Sequence, residues 1–119
     1  MKAPSPTVPL AIDADAMREH VGEAAALLKA LANESRLAIL CLLADGERSV
    51  GEINAMVDLS QSALSQHLAV LRDQDLVQTR REAQSVYYAL VSGPALSVIK
   101  TLHGIYCAPV RSRKRGVGR

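Results

Sequence analysis

Phenylalanine and tryptophan are missing from this 119-residue chain, and three tyrosines supply its only aromatic side chains. A core built mainly from Leu, Val, Ile and Ala favours helices, and the length predicts one domain. No apolar run reaches the ~18 residues of a membrane-spanning helix. Three early prolines (Pro4, Pro6 and Pro9), followed by Asp13 and Asp15, do not suit a signal peptide. We therefore expect a cytoplasmic protein.

Cysteine is scarce, with Cys41 and Cys107 the only two in the chain. Two are too few for a secreted disulfide scaffold, and in a reducing compartment such a pair is reactive, metal-binding or simply buried. The sequence has no Cys-x-x-Cys motif, no glycine-rich phosphate loop and no nucleophile–base–acid set. We therefore expect a protein that is not an enzyme and needs no cofactor, with a thiol-based persulfide carrier or peroxidase as the least favoured alternative.

The net charge of +2 hides an uneven distribution. Five basic residues and no acidic ones lie in segment 108–119, which leaves nine basic and 12 acidic residues in 1–107. The body of the protein is thus mildly acidic, and its charge alone does not indicate nucleic-acid binding. The basic segment is expected to add nonspecific attraction to phosphates.

Hydrophobic periodicity divides the chain into a disordered segment 1–13, a folded domain 14–107 and a disordered basic tail 108–119. Asn33 and Ser60 suit helix N-caps, and Ser49 with Glu52 forms a capping box. The predicted elements are helices at 14–30, 34–44, 50–57 and 61–73, strands at 76–81 and 85–90, and a final helix at 95–107. This mainly helical order of four helices, a β-hairpin and a helix predicts a winged helix-turn-helix fold.

The fourth predicted helix has two different faces. Leu64, Leu68 and Leu71 fall within about 60° of one another on a helical wheel and form its buried stripe. The polar side chains near its start are Gln61, Ser62, Ser65 and Gln66. Short hydroxyl and amide groups on an exposed helix suit a DNA major groove, where they hydrogen-bond to base edges. The plainer interpretation is a solvated polar face.

The turn of the predicted hairpin carries Arg80, Arg81 and Gln84, which are candidates for contacts with the phosphate backbone or the minor groove. Local charge does not favour this interpretation, because Asp73, Asp75 and Glu82 offset the nearby arginines. A dimer would compensate by presenting every contact twice.

Residues 59–72, with Leu76–Val77 and the segment 80–88, resemble the ArsR/SmtB family of bacterial repressors, and residues 28–37 resemble the preceding helix junction of that family. The resemblance covers about residues 15–107. It implies a winged helix fold, a homodimer, and double-stranded operator DNA as the partner. The first and last predicted helices have apolar stripes beyond what a core of this size can bury, which predicts that the dimer forms through these terminal helices. His67 also fits the family pattern, and its place at the margin of the leucine stripe predicts a packing or phosphate-contacting role.

Many members of this family sense metals. The Cys-x-Cys of the family's thiolate site is replaced here by Ser49-Val50-Gly51, and the Asp-x-His start of its zinc site is replaced by Ser92-Gly93-Pro94. Neither metal site is preserved, so no metal ligand is predicted. A site formed by Cys41, Cys107 and His103 remains as an alternative.

The two thiols have different predicted surroundings. Cys41 shares a helical face with Leu37, Leu40 and Ala44, which by itself predicts a buried core cysteine. Cys107 ends the last helix and is predicted to be partly exposed. His103, one turn earlier, would favour a thiolate there if protonated, whereas the helix dipole would oppose it.

The segments 39–43 and 102–107 resemble those of a narrower branch of the family, the sulfide- and persulfide-responsive repressors of the SqrR/BigR type and the related HlyU regulators. That resemblance implies a redox-sensing pair, Cys41 and Cys107, which reactive sulfur species such as persulfides link by a di- or polysulfide bridge, releasing the operator. A HlyU-like antirepressor is the alternative within the branch.

Overall fold

The computed structural model describes residues 11–107, which form six helices and three strands. The helices are α1 (Ala14–Arg18), α2 (Val21–Leu31), α3 (Glu34–Ala44), α4 (Val50–Met56), α5 (Gln61–Asp73) and α6 (Pro94–Cys107), and the strands are β1 (Arg48–Ser49), β2 (Val77–Glu82) and β3 (Ser85–Leu90). This architecture confirms the mainly helical fold with a β-hairpin. The tail 108–119 and most of the segment 1–13 lie outside the described residues.

The single helix predicted at 14–30 is wrong, because the chain breaks between α1 and α2. The N–H of Glu19 donates to the carbonyl of Ala16 at 3.3 Å, and the N–H of His20 donates to the carbonyl of Met17 at 2.9 Å. Every residue from 11 to 23 is exposed, so no packing against the core favours a continuous helix here.

Strand β1 was not predicted. Its two residues pair antiparallel with β3, Arg48 opposite Tyr88 and Ser49 opposite Tyr87, and extend the hairpin into a sheet of order β1-β3-β2. Ser49 is also the N-cap of α4, where the expected capping box is present: its hydroxyl accepts from the Glu52 N–H at 3.1 Å, and the Glu52 carboxylate accepts from the Ser49 N–H at 2.8 Å. A strand this short leaves no alternation for a pattern to detect.

The hairpin of β2 and β3 is the wing of the fold. Its register runs from Val77 opposite Leu90 to Glu82 opposite Ser85, which leaves Ala83 and Gln84 as a two-residue turn. Ala83 has a φ of 57°, in the left-handed region that two-residue hairpin turns require. The predicted hairpin is therefore confirmed, with β2 displaced by one residue.

One face of helix α5 packs into the core. Leu64, Leu68 and Leu71 are buried, as the helical wheel predicted, and they pack with Ile39 of α3 and Ile53 of α4. The Ser60 hydroxyl caps α5 by accepting from the Ala63 N–H at 3.1 Å. Because the leucine stripe fixes the rotation of α5, its polar face is turned to solvent.

Several large apolar side chains remain exposed on the first two helices and on α6. Along α1 and α2, Leu31 is buried, whereas Met17, Val21 and Leu28 are 45–56% exposed. Near the end of α6, Ile105 and Tyr106 are 61% and 77% exposed. Among residues 11–107, no helix is long and apolar enough to cross a membrane.

Candidate nucleic-acid interface and thiol cleft

The polar face of α5 is exposed to solvent along its first two turns. The exposed residues predicted to contact DNA are Gln61, Ser62, Ser65 and Gln66. The preceding turn is held by the Asn54 side chain, which donates to the carbonyl of Leu59 at 3.1 Å. Helices α4 and α5 therefore form a helix-turn-helix whose second helix presents small polar groups to a ligand.

His67 is half-buried at the edge of this face. Its Nδ1 lies 3.4 Å from Nη1 of Arg36, and the same guanidinium donates to the carbonyls of Ala30 at 2.7 Å and Lys29 at 3.1 Å. Arg36 thus satisfies carbonyls at the end of α2 and reaches α5 at the same time. His67 therefore contacts the α2–α3 junction, and the phosphate contact expected as the other role of His67 stays a prediction.

At the wing, the three predicted DNA contacts differ in their surroundings. Arg81 and Gln84 are exposed near the turn. Arg80, by contrast, donates through Nε and Nη2 to both carboxylate oxygens of Glu47, each at 2.8 Å, and through Nη1 to Glu82 at 2.7 Å. Its guanidinium also lies 4.4 Å from the centre of the Tyr87 ring.

The hydrogen bonds from Arg80 lower the pKa of Glu47 below its usual range, with the guanidinium's charge adding to the effect. Glu47 therefore stays ionised, and paired with Arg80, at pH values where an ordinary carboxyl starts to take up a proton.

The two cysteines line one cleft between α3 and α6, with a volume of about 630 Å³. Its other lining side chains are mostly apolar: Leu37, Ala44, Leu96, Ile99, Leu102 and Tyr106, with Asp45, Lys100 and His103 as the charged or polar members. Cys107 is half-buried, as predicted. The core position predicted for Cys41 is wrong, because Cys41 is exposed and it is Ile39, Leu40 and Leu43 that face the core.

The cleft shifts the acidity of Cys41. Partial desolvation raises the pKa of the Cys41 thiol, and the nearby Cys107 raises it further. Both causes disfavour the thiolate, so Cys41 is protonated at neutral pH.

The alternative metal site is not formed. Within residues 11–107, no group of three or more His, Cys, Asp or Glu side chains is arranged to hold a metal ion. Cys41, Cys107 and His103 line the same cleft but are not gathered as three ligands.

The sequence is similar to those of known proteins. The family model for "Bacterial regulatory protein, arsR family" matches residues 33–79. HlyU of Vibrio cholerae serotype O1, a transcriptional activator, is 55% identical over 91 residues, which cover 76% of this chain and 84% of HlyU. The biofilm growth-associated repressor of Agrobacterium fabrum is 48% identical over 94 residues, or 79% of this chain and 80% of the repressor.

Solved structures agree with the fold. Reduced HlyU from Vibrio cholerae N16961 superposes with a TM-score of 0.74 at 54% identity, covering 78% of this chain and 98% of HlyU. The transcriptional repressor BigR from Xylella fastidiosa superposes with a TM-score of 0.76 at 36% identity, covering 81% of this chain and 98% of BigR.

A helix-turn-helix with an outward polar face beside a β-hairpin wing defines a winged helix-turn-helix transcriptional regulator that binds DNA. The chain belongs to the arsR family of bacterial regulatory proteins, and its relatives include the HlyU and BigR regulators. The resemblance seen in its sequence is thereby confirmed. These relatives are named as regulators of transcription and not as enzymes.

Proposed function

We propose that this regulator is a dithiol redox-sensing repressor, which binds operator DNA when Cys41 and Cys107 are reduced and releases it when persulfides link them. The observation that carries the proposal is the shared cleft: residues 66 positions apart in the sequence line one mostly apolar cleft, where Cys107 contributes to raising the pKa of the Cys41 thiol. A reactive pair needs this proximity, whereas two unrelated buried cysteines do not.

The linking of Cys41 and Cys107 by a persulfide requires no further oxidant. One thiol attacks the outer sulfur of a persulfide, RSSH, forming a protein persulfide and releasing the thiol RSH. Attack by the second thiol on that protein persulfide gives a disulfide and releases H₂S. If both cysteines become persulfides, their reaction gives a trisulfide and one H₂S. The longer sulfur chain relaxes the Cα separation of about 4.4–6.8 Å that a plain disulfide requires, and cellular thiols reverse the reaction.

In this proposal the DNA contacts are made by α5 and the wing. Side chains of α5 enter the major groove, and the wing approaches the phosphate backbone or the minor groove. The proposed contact residues are Gln61, Ser62, Ser65, Gln66, His67, Arg81 and Gln84. Arg80 was predicted to join them, but its guanidinium is already held by two carboxylates.

The proposal includes a homodimer formed through the terminal helices, with residues 14–107 as the DNA-binding and dimerisation domain. The exposed apolar side chains of α1, α2 and α6, such as Met17, Leu28 and Tyr106, support it, because a second copy would remove them from water. A bridge between α3 and α6 then stiffens a helix of the dimer interface and moves the two α5 helices out of register with the DNA.

The test pairs intact mass with operator titrations after treatment with glutathione persulfide, glutathione disulfide or peroxide. We expect a Cys41–Cys107 disulfide, or a trisulfide one sulfur heavier, together with a loss of affinity of about 5–150-fold, which corresponds to a coupling of about 1–3 kcal/mol. Cys41→Ser and Cys107→Ser should each retain the operator under persulfide. Release by the variant lacking both thiols would disprove the proposal.

Antirepression is a second candidate function, because the relative HlyU is named a transcriptional activator. An antirepressor would raise transcription by displacing another DNA-bound protein, using the same helix α5. In purified transcription on the operator, a repressor lowers the basal rate, whereas an antirepressor changes the rate only when the displaced protein is present.

A further inference from the structure

The segment between α3 and α4 connects the thiol cleft to the wing. Asp45 lines the cleft and pairs with Arg48 at 3.0 Å. Arg48 and Ser49 form β1 against β3, and Glu47, which immediately precedes Arg48, forms an ion pair with Arg80 of β2. Gly46, with a φ of 153°, allows the reversal of the chain that places Glu47 against the wing.

We propose that the Glu47–Arg80 ion pair is a clamp that positions the wing and couples it to the thiol-bearing helix α3, so that Arg80 is a positioning residue and not a phosphate contact. The coupling half of this inference rests on the function proposed above. The positioning half depends only on operator binding.

The geometry of the Arg80 guanidinium supports a positioning role. Two parallel hydrogen bonds join Arg80 to Glu47, a third joins it to Glu82, and one face lies over Tyr87. This fork-to-fork arrangement fixes direction as well as distance. A phosphate would have to displace a carboxylate and approach two negative charges, which the electrostatics of the site oppose.

The contrast between Arg80 and the next residue, Arg81, supports the same role. Arg81 points to the other face of β2, is exposed, and forms no ion pair with any other residue in 11–107. Adjacent arginines on one strand therefore have different roles available to them. The Arg81 guanidinium can contact DNA, whereas the Arg80 guanidinium connects β2 to Glu47, in the segment between α3 and β1.

The experiment measures affinity of the reduced full-length protein for its operator across a series of salt concentrations. If Arg80 positions the wing, Glu47→Gln and Arg80→Gln both weaken binding, by several-fold, with little change in the salt slope. If Glu47 merely competes with a DNA phosphate for the Arg80 guanidinium, Glu47→Gln tightens operator binding and Arg80→Gln weakens it. Opposite signs, or no effect of Glu47→Gln, would overturn the inference.

Arg81→Gln is the matched control. It should lower the magnitude of the salt slope by about 0.9 for each phosphate that the protein no longer neutralises, counted over both protomers. The exchange Glu47→Arg with Arg80→Glu keeps an ion pair between the same positions and should recover affinity, which separates the clamp from a folding defect. Thermal unfolding of each variant checks that the fold is intact.

Coupling is measured by the ratio of operator affinities before and after persulfide treatment, with the bridge confirmed by mass. We expect that ratio to be lower in Glu47→Gln than in the wild type at equal bridge content. An undiminished ratio in Glu47→Gln overturns the coupling. If the wild type itself forms the bridge without releasing DNA, the proposed function fails, and the signs measured in the reduced state still decide whether Arg80 positions the wing.

Discussion

Helices α3 and α5 pack against each other in the same core, yet their sequences carry very different information. α5 alternates between a leucine stripe and a polar face, so its rotation can be read from spacing. α3 is apolar all the way round from Leu37 to Ala44, because one face lies in the core and the other lines the thiol cleft. A helix apolar on every side has no spacing that distinguishes a core from a cavity.

The largest expected effect compares a buried side chain of α5 with the cleft side of α3. Leu64 is fully buried, so Leu64→Ala should lower the free energy of unfolding by about 2–5 kcal/mol through lost burial and a residual cavity. Cys41→Ala should change it by less than about 0.5 kcal/mol, because the side chain is exposed. Urea unfolding of the two variants gives both values. Comparable losses would mean that the cysteine side of α3 is part of the core.

The polar face of α5 provides the next test. Gln66→Ala should reduce discrimination at one operator position by about 1–3 kcal/mol, because an amide reads a base edge through paired hydrogen bonds. Titration against single-base operator variants measures this loss. Gln78→Ala, an exposed glutamine on β2 outside the predicted contacts, is the matched control. A uniform loss on every sequence would place Gln66 on the phosphate backbone instead.

These contrasts explain what the sequence predicted. Strong periodicity fixed the stripe Leu64–Leu71, and local capping chemistry fixed the starts of α3, α4 and α5. The placement of Cys41, by contrast, depended on which side of an all-apolar helix meets α6, and the pairing of Glu47 with Arg80 joins positions 33 apart in the sequence. Such contacts arise only when the chain is folded, and no local spacing records them.

A smaller effect is expected at the wing turn. Ala83 adopts a φ of 57°, which costs a residue with a Cβ about 1 kcal/mol relative to glycine. Ala83→Gly should therefore raise the free energy of unfolding by less than about 1 kcal/mol, since glycine also gains entropy in the unfolded chain. Gly46→Ala is the opposite control, because Gly46 has a φ of 153° and open space around it, so only backbone strain changes. Chemical unfolding should give opposite signs for the two variants.

The smallest effect concerns the acidity of Cys41 itself. Its pKa is raised mainly by partial desolvation and to a smaller extent by Cys107. At any given pH, Cys41 of the folded protein is therefore ionised to a smaller fraction than a free thiol is. The pH at half-maximal alkylation of Cys41 by iodoacetamide should be highest in the wild type, lower in Cys107→Ser, and lowest in Cys107→Ser unfolded in urea. If the pH at half-maximal alkylation were the same for Cys107→Ser folded and unfolded, desolvation would not be a cause of the raised pKa.

The same shift provides a test of which thiol reacts first. If the Cys41 thiolate attacks the persulfide, the rate at which the first sulfur atom is added to the protein should rise with pH in parallel with Cys41 alkylation, because only the thiolate is nucleophilic. A rate of first sulfur addition that is already maximal where Cys41 is still protonated would assign the first attack to Cys107. Cys41 would then react second, with the protein persulfide already formed beside it.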